Sequence, residues 1–181
     1  MKSNGIRALC IFSTVYTLWY MHFGKPWTND GALSKIGLEQ RAAFIIWGIL
    51  TFLSLGLNIY TGYRKIEKQK TSIILLGVSA VGMALTLIYR FDYNLMPDYY
   101  LHCAGSLLFS AVTGGAVLTL FLLAKRKTFS AVTAAVMLTD LICLLIFKET
   151  GIIETVPIFT GYILLSIFNT GSEKLEAARK A

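Results

Sequence analysis

The sequence predicts an all-α, polytopic membrane bundle of six spans with both termini on the cytoplasmic side. Three observations predict it. Charged residues make up 15% of the 181 residues and hydrophobic ones 55%, whereas a soluble domain carries about 25% charged residues. The charges sit in short clusters between apolar runs, and runs of 18 or more residues cross a hydrocarbon core roughly 30 Å thick. The basic clusters are also uneven between alternate loops, which is the asymmetry that orients spans. With so much of the chain in such runs, no sizeable soluble domain is left. Residues 1–181 read as one membrane domain.

The spans follow in order. Span 1 covers about residues 6–23, after Lys2 and Arg7. It resembles a signal peptide at its start, but it ends in Trp19, Tyr20, Met21 and His22 with no small-residue cleavage site, so it reads as a retained span. Loop 1, about 24–41, is the longest, and its stretch from Ala32 to Arg41 suits a short interfacial helix leading into span 2. Span 2 covers about 42–63, span 3 about 71–90 and span 4 about 101–124. The Lys125-Arg126-Lys127 link is so short that span 5, about 128–147, must form an antiparallel hairpin with span 4. Span 6 covers about 153–170, and the helix-prone residues 171–181 form a charged cytoplasmic tail. Pro26 falls in the first loop, Pro97 in the third, and Pro157 in the first turn of span 6, where a missing N–H is tolerated.

Orientation follows from counting Lys and Arg. Of seventeen basic residues, twelve (Lys2, Arg7, Arg64, Lys65, Lys68, Lys70, Lys125, Arg126, Lys127, Lys174, Arg179 and Lys180) lie on one side, which is therefore cytoplasmic. The other side holds Lys25, Lys35, Arg41, Arg90 and Lys148, and most of the acidic residues. Tyr93, Tyr99 and Tyr100 around the third loop suit an outer aromatic belt. These features point to a multi-pass protein of a plasma membrane, the inner membrane of a prokaryote.

Several function classes are excluded or unsupported. The net charge of +7 comes from residues flanking spans, so no contiguous basic face offers itself to nucleic acid. Cys10, Cys103 and Cys143 fall in or beside apolar runs with no CxxC pair and no zinc spacing, and read as small buried hydrophobes. No GxSxG, P-loop or HExxH motif occurs, no repeat is present, and nothing calls for a cofactor or a metal. His22 and His102 share a side with several carboxylates, but no spacing enforces a metal site.

Chemistry therefore rests on ionisable groups in or at the ends of spans, which are costly in a membrane. Asp140 is the one deep charge, about 18 Å along span 5 from its inner end at roughly 1.5 Å per residue. Its alternative is a buried carboxyl bonded to a neighbouring helix. His102 opens span 4, with Asp98 four residues earlier and within reach of a carboxylate–imidazole contact. The alternative for His102 is an interfacial ring satisfied by water or headgroups. Arg41, Arg90 and Glu154 gather with His22 on the outer side, where arginines can grip a phosphate bidentately or simply snorkel. Asn58 reads as a polar contact within span 2. Gly48, Gly56, Gly77, Gly82, Gly105, Gly114 and Gly115, with Ala104, Ser106 and Ser110, suit close helix approach and mark spans 2–4 as the packed centre.

A family resemblance rests on two short stretches. Loop 1 ends in Ser34-Lys35-Ile36-Gly37, followed by Arg41 and Phe44. Span 4 opens with His102-Cys103-Ala104-Gly105-Ser106-Leu107-Leu108-Phe109. This order is similar to the FRAG/DRAM/SFK group of six-span membrane proteins and their small bacterial relatives. The resemblance implies a lipid-related role and makes His102 the position to carry over. It departs from the group in lacking a clear match to a proline-rich first loop.

Three functions compete. One is binding or modification of a lipid or other amphiphile at the outer side, with His102 and Asp98 as an acid–base or orienting pair, Arg41 and Arg90 at the headgroup, and Asp140 as buried support. Another is a small transporter or channel, proton-coupled through Asp140, although no inverted repeat or broken helix supports it. The third is a scaffold, immunity protein or complex subunit. Membrane lipids are partners in each case, with a protein partner or homo-oligomer in the last.

Overall fold

The computed structural model describes residues 3–180, with side chains from 4 to 171. Among the described residues it is all-helical: α1 (Ser3–Met21), a 3-10 turn (Asn29–Gly31), α2 (Leu33–Glu39), α3 (Arg41–Lys65), α4 (Gln69–Ile88), α5 (Met96–Leu123), α6 (Lys127–Phe147) and α7 (Gly151–Lys180). The expected charged tail and its basic residues, like Lys2, fall outside the described side chains, although the α7 backbone continues through Lys180.

Five helices are long and apolar enough to cross a membrane: α3 to α6, and α7 from Gly151 to Gly171. The sixth expected span, α1, is not among them. Its 19 residues are diluted by Asn4, Arg7, Ser13, Thr14, Tyr16 and Thr17. The polar side chains are placed with a logic of their own. Ser13 and Thr17 are 1% and 0% exposed, while Ile11 and Val15 are 66% and 59% exposed. α1 therefore turns hydroxyls inward and aliphatic groups outward, the reverse of an amphipathic helix on a soluble domain.

Proline positions differ from the expectation. Pro97 is not in a loop, because α5 begins at Met96 and takes it into its first turn, where it has no N–H to lose. Pro157 lies inside α7, whose first residue is Gly151. Its missing N–H leaves the Ile153 carbonyl without its usual intrahelical partner.

α3 is the centre of the bundle. Half of its membrane window is buried, against 11% for α6. It packs against α1, α4, α7, α2 and α5, while α6 touches only α5 and α7 closely. The expected packed centre of three spans is therefore one central helix plus a separate tight pair, α4 and α5. That pair meets backbone to backbone. A Cβ on Gly82 would lie 2.6 Å from the Phe109 nitrogen, and one on Gly105 would lie 2.7 Å from the Gly82 oxygen. Gly77 and Gly115 have nothing within 4 Å and play no part in packing. In lipid, where apolar side chains gain little by leaving one apolar surroundings for another, such close approach and internal hydrogen bonds hold helices together.

Two short links share one geometry. After α3, Glu67 adopts φ 58° and the Lys68 N–H reaches back to the Tyr63 carbonyl at 2.9 Å. After α5, Lys125 adopts φ 56° and the Arg126 N–H reaches Phe121 at 2.8 Å. Both are helix ends closed by a left-handed residue and a six-to-one bond. The bundle thus has two distinct ends. One gathers α2 with the start of α3 and the end of α4, and the other, near Lys65, gathers the basic links.

Candidate functional site

At the α2 end, three chain segments far apart in sequence place polar groups in one row. α2 exists because Leu33, Ser34, Ile36 and Gly37 bury one face of a seven-residue helix against α3. Its last two residues, Leu38 and Glu39, stay exposed. Tyr20, wholly buried, donates its hydroxyl to the Leu33 carbonyl at 2.8 Å. Glu154, in the first turn of α7, accepts the Leu33 N–H on one oxygen and faces the Ser34 hydroxyl at 3.4 Å with the other. Ser34 Oγ is in turn 2.9 Å from His102 Nε2. His102 Nδ1 lies 3.2 Å from the Tyr89 carbonyl at the end of α4.

His102 is 2% exposed and held between rings. Phe44 stacks on it at 6.0 Å between centroids, and Phe91 meets it edge-on at 5.3 Å. Hydrogen-bond partners assign its tautomer. A carbonyl only accepts, so Nδ1 carries the proton, and the neutral ring presents a bare Nε2 to Ser34. Ser34 has one hydroxyl proton and two acceptors, Nε2 and the Glu154 carboxylate. It can serve one of them. A single further proton, on Nε2 or on the carboxyl, closes both gaps. The row therefore offers that proton two resting places, one at each end.

The other expected site residues are placed less uniformly. Asp98 does not pair with His102. It sits in the first turn of α5, and both imidazole nitrogens are taken elsewhere. The carboxylate that reaches His102, through Ser34, is Glu154. Arg41 is at the site but faces inward: its guanidinium donates to the Leu87 and Ile88 carbonyls at the C-terminus of α4, where a cation is favoured. It also lies over the Phe44 ring at 5.9 Å. Arg90 is exposed nearby, close enough for the two like charges to act on each other. His22 is exposed at the end of α1 and joins no hydrogen bond of the row. Asp140 is partly buried on α6 and makes no hydrogen bond among the described residues, so it does not support this site. No group of three or more His, Cys, Asp or Glu among the described residues is placed to hold a metal.

Next to the row, an open hollow of about 700 Å³ is lined by Phe23, Lys25, Asp30, Lys35, Ile36 and Glu39. Lys35 and Asp30 pair across it at 2.9 Å, and this ammonium holds the Asp30 carboxyl below the ordinary carboxylate range. The hollow shares the α2 wall with the row without reaching Ser34, which is 7% exposed.

Sequence reasoning missed the hydrogen bonds that link Ser34 to His102 and Glu154, and missed the whole interior of the α1–α3–α7 seam. There Ser13 and Tyr162 join hydroxyls at 2.8 Å. Asn58 donates to Cys10 Sγ at 3.0 Å and accepts from Asn169 at 3.1 Å. Lys65 closes the far end on the Asn169 carbonyl. A signal was available: Trp47, Thr51, Ser54 and Asn58 recur at i, i+4, i+7 and i+11, one face of a helix. No family model, curated protein or solved structure matches this chain.

Proposed function

We propose that this integral multi-pass membrane protein binds a lipid or other amphiphile at the α2 end of the bundle, and that the Ser34–His102–Glu154 relay transfers a proton to or from the bound headgroup. One observation carries the reading: Ser34 Oγ stands 2.9 Å from a bare imidazole nitrogen and faces a carboxylate on its other side. A hydroxyl between a base and a carboxylate is arranged for proton transfer. A structural hydrogen bond alone needs only two partners. Ser34 and His102 are also the residues that carry the resemblance to the FRAG/DRAM/SFK group, and they meet although 68 positions apart.

Several parts of this reading concern topology. α1 is the sixth span, its outward aliphatic face being the one that meets lipid. The twelve-residue basic side faces the cytoplasm, so the relay opens toward the outer leaflet of a prokaryotic plasma membrane. Because Ser34 and His102 are buried, α2 acts as a lid that shifts when a headgroup enters from the neighbouring hollow. Arg41 and Arg90 stand at the rim to meet an anionic headgroup, Arg41 with its Nε and second terminal nitrogen still free of hydrogen bonds to the helix.

The test is lipid retention. Wild type and His102→Ala are purified from the same membranes in mild detergent, and bound amphiphiles are quantified by mass spectrometry. The expected result is loss of a stoichiometric amphiphile in the variant with α-helical content unchanged. Equal retention in a folded variant overturns the proposal.

A further inference from the structure

Polar groups inside a membrane face a partner or water, since hydrocarbon offers neither donor nor acceptor. Between α4 and α5 this rule is met by a closed pair, Ser79 with Thr113 at 2.7 Å. The seam between α1, α3 and α7 behaves differently. Among the described residues, three buried side-chain polar atoms have no hydrogen-bond partner: Trp47 Nε1, Thr51 Oγ1 and Asn169 Oδ1. All three lie in this seam. Thr51 is 0% exposed and its hydroxyl faces that of Tyr162. Buried orphans of this kind are ordinarily satisfied by internal water.

We propose that the α1–α3–α7 seam is a hydrated file that carries protons between the Lys65 end of the bundle and Glu154. The face from Trp47 to Asn58 alone covers about 16 Å at roughly 1.5 Å per residue, over half of a hydrocarbon core. Asn169 begins the file beside Lys65, and Tyr20 ends it beside Glu154. A proton entering at Asn169 passes between waters and the hydroxyls of Thr51, Tyr162 and Ser13. Each hydroxyl that gives a proton receives another, so the file ends unchanged and one positive charge has moved. Trp47 and Asn169 hold water in place and do not relay. The proton rests on the Glu154 carboxylate or passes through Ser34 to His102 Nε2.

The charged and titratable groups around that terminus include Tyr16 and Tyr20 on α1, Arg41 on α3, His102 on α5 and Glu149 just before α7, and α2, which Glu154 touches, carries Lys35 and Glu39. At the other terminus stand Arg7 on α1 and Lys65 on α3. Asp140 is on α6, away from this seam, so proton coupling through it has no support here. The inference rests on Glu154 ending the seam and not on any ligand that binds there.

The experiment uses the full chain in liposomes containing a pH-sensitive dye, with the membrane potential clamped by potassium and valinomycin. After a pH step, wild type is expected to dissipate the gradient faster than protein-free liposomes. Thr51→Val removes one relay hydroxyl at nearly constant volume and is expected to slow the protein-dependent flux by about tenfold. Thr51→Ser restores it. Flux equal to that of protein-free liposomes, or unchanged flux in Thr51→Val, overturns the proposal. Amphiphile retention measured on the same Thr51→Val protein separates the two proposals: retention with lost flux supports the file alone, and retention with unchanged flux overturns the file and leaves the amphiphile reading standing.

Discussion

Replacing Ser34 by Ala tests whether the row from Tyr89 to Glu154 is one coupled unit. The substitution removes a hydroxyl 2.9 Å from His102 Nε2 and 3.4 Å from Glu154. The imidazole is 2% exposed, so its bare nitrogen finds no water in exchange. A buried acceptor left without a partner costs about 1–3 kcal/mol. The longer bond to Glu154 adds little, since the Leu33 N–H still holds that carboxylate. A total near 2 kcal/mol lowers the melting temperature by about 4–8 °C at this chain length. His102→Phe preserves the ring between Phe44 and Phe91 while deleting both nitrogens; it leaves the Tyr89 carbonyl unpaired and Ser34 with Glu154 as its remaining acceptor. In the double variant neither Nε2 nor the Ser34 hydroxyl remains to be orphaned. The two losses should therefore fall short of additivity by about 1–2 kcal/mol. Thermal unfolding in detergent of the wild type, both single variants and the double variant measures this term. Additivity within about 0.3 kcal/mol refutes the coupling, and with it the relay.

Other outcomes follow from single features. Gly105→Leu places a branched side chain where a single Cβ already meets the Gly82 carbonyl at 2.7 Å. It is expected to cost about 3 kcal/mol of unfolding stability, the upper range for overpacking, and to abolish any benefit of the α4–α5 interface. Lys125→Gly and Glu67→Gly relieve left-handed backbone at φ 56° and 58°, and each is expected to raise stability by about 1 kcal/mol in the same assay. Asp30, paired with Lys35, has a lowered carboxyl pKa. Its contribution is present above the ordinary value of about 3.9 and is lost as pH falls through the lowered one. A carboxyl-resolved NMR titration should show Asp30 titrating below the ordinary carboxylate range in wild type and moving up in Lys35→Met.

Long apolar runs made five of the helices legible within a few residues of their ends, because length and hydropathy are local properties. α1 was harder to secure. Its hydroxyls at Ser13 and Thr17 lower the average even though they point inward, and only the packed structure separates its two faces. Asp98 looked like the partner of His102 because they are four residues apart, but helical neighbours share a face without necessarily sharing a bond. The ring turned instead toward Ser34 and Tyr89, which no local pattern connects to it. Glu154 was recognised as a polar group at a helix start, while its reach to α2 depends on how α7 docks. Asp140 drew attention as the deepest charge, yet depth along a helix says nothing about which helix lies at the margin of the bundle. The seam stayed hidden because each Ser, Thr or Asn in it resembles an ordinary packing residue, and only the three unpartnered atoms distinguish it.

The backbone contact between Gly82 and Gly105 also has a mechanical meaning. With carbonyls and amides of α4 and α5 touching, the two helices cannot slide or rotate past each other without collision, so they behave as one stiff beam. Arg41 ties the start of α3 to the end of that beam through the Leu87 and Ile88 carbonyls. α2, by contrast, is a seven-residue segment anchored from both sides by side-chain bonds from Tyr20, His102 and Glu154. The place of α2 therefore depends on side-chain bonds, whereas α4 and α5 are locked backbone to backbone. A substitution that removes one of those bonds is felt first in the position of Ser34, and only afterwards in the frame around it.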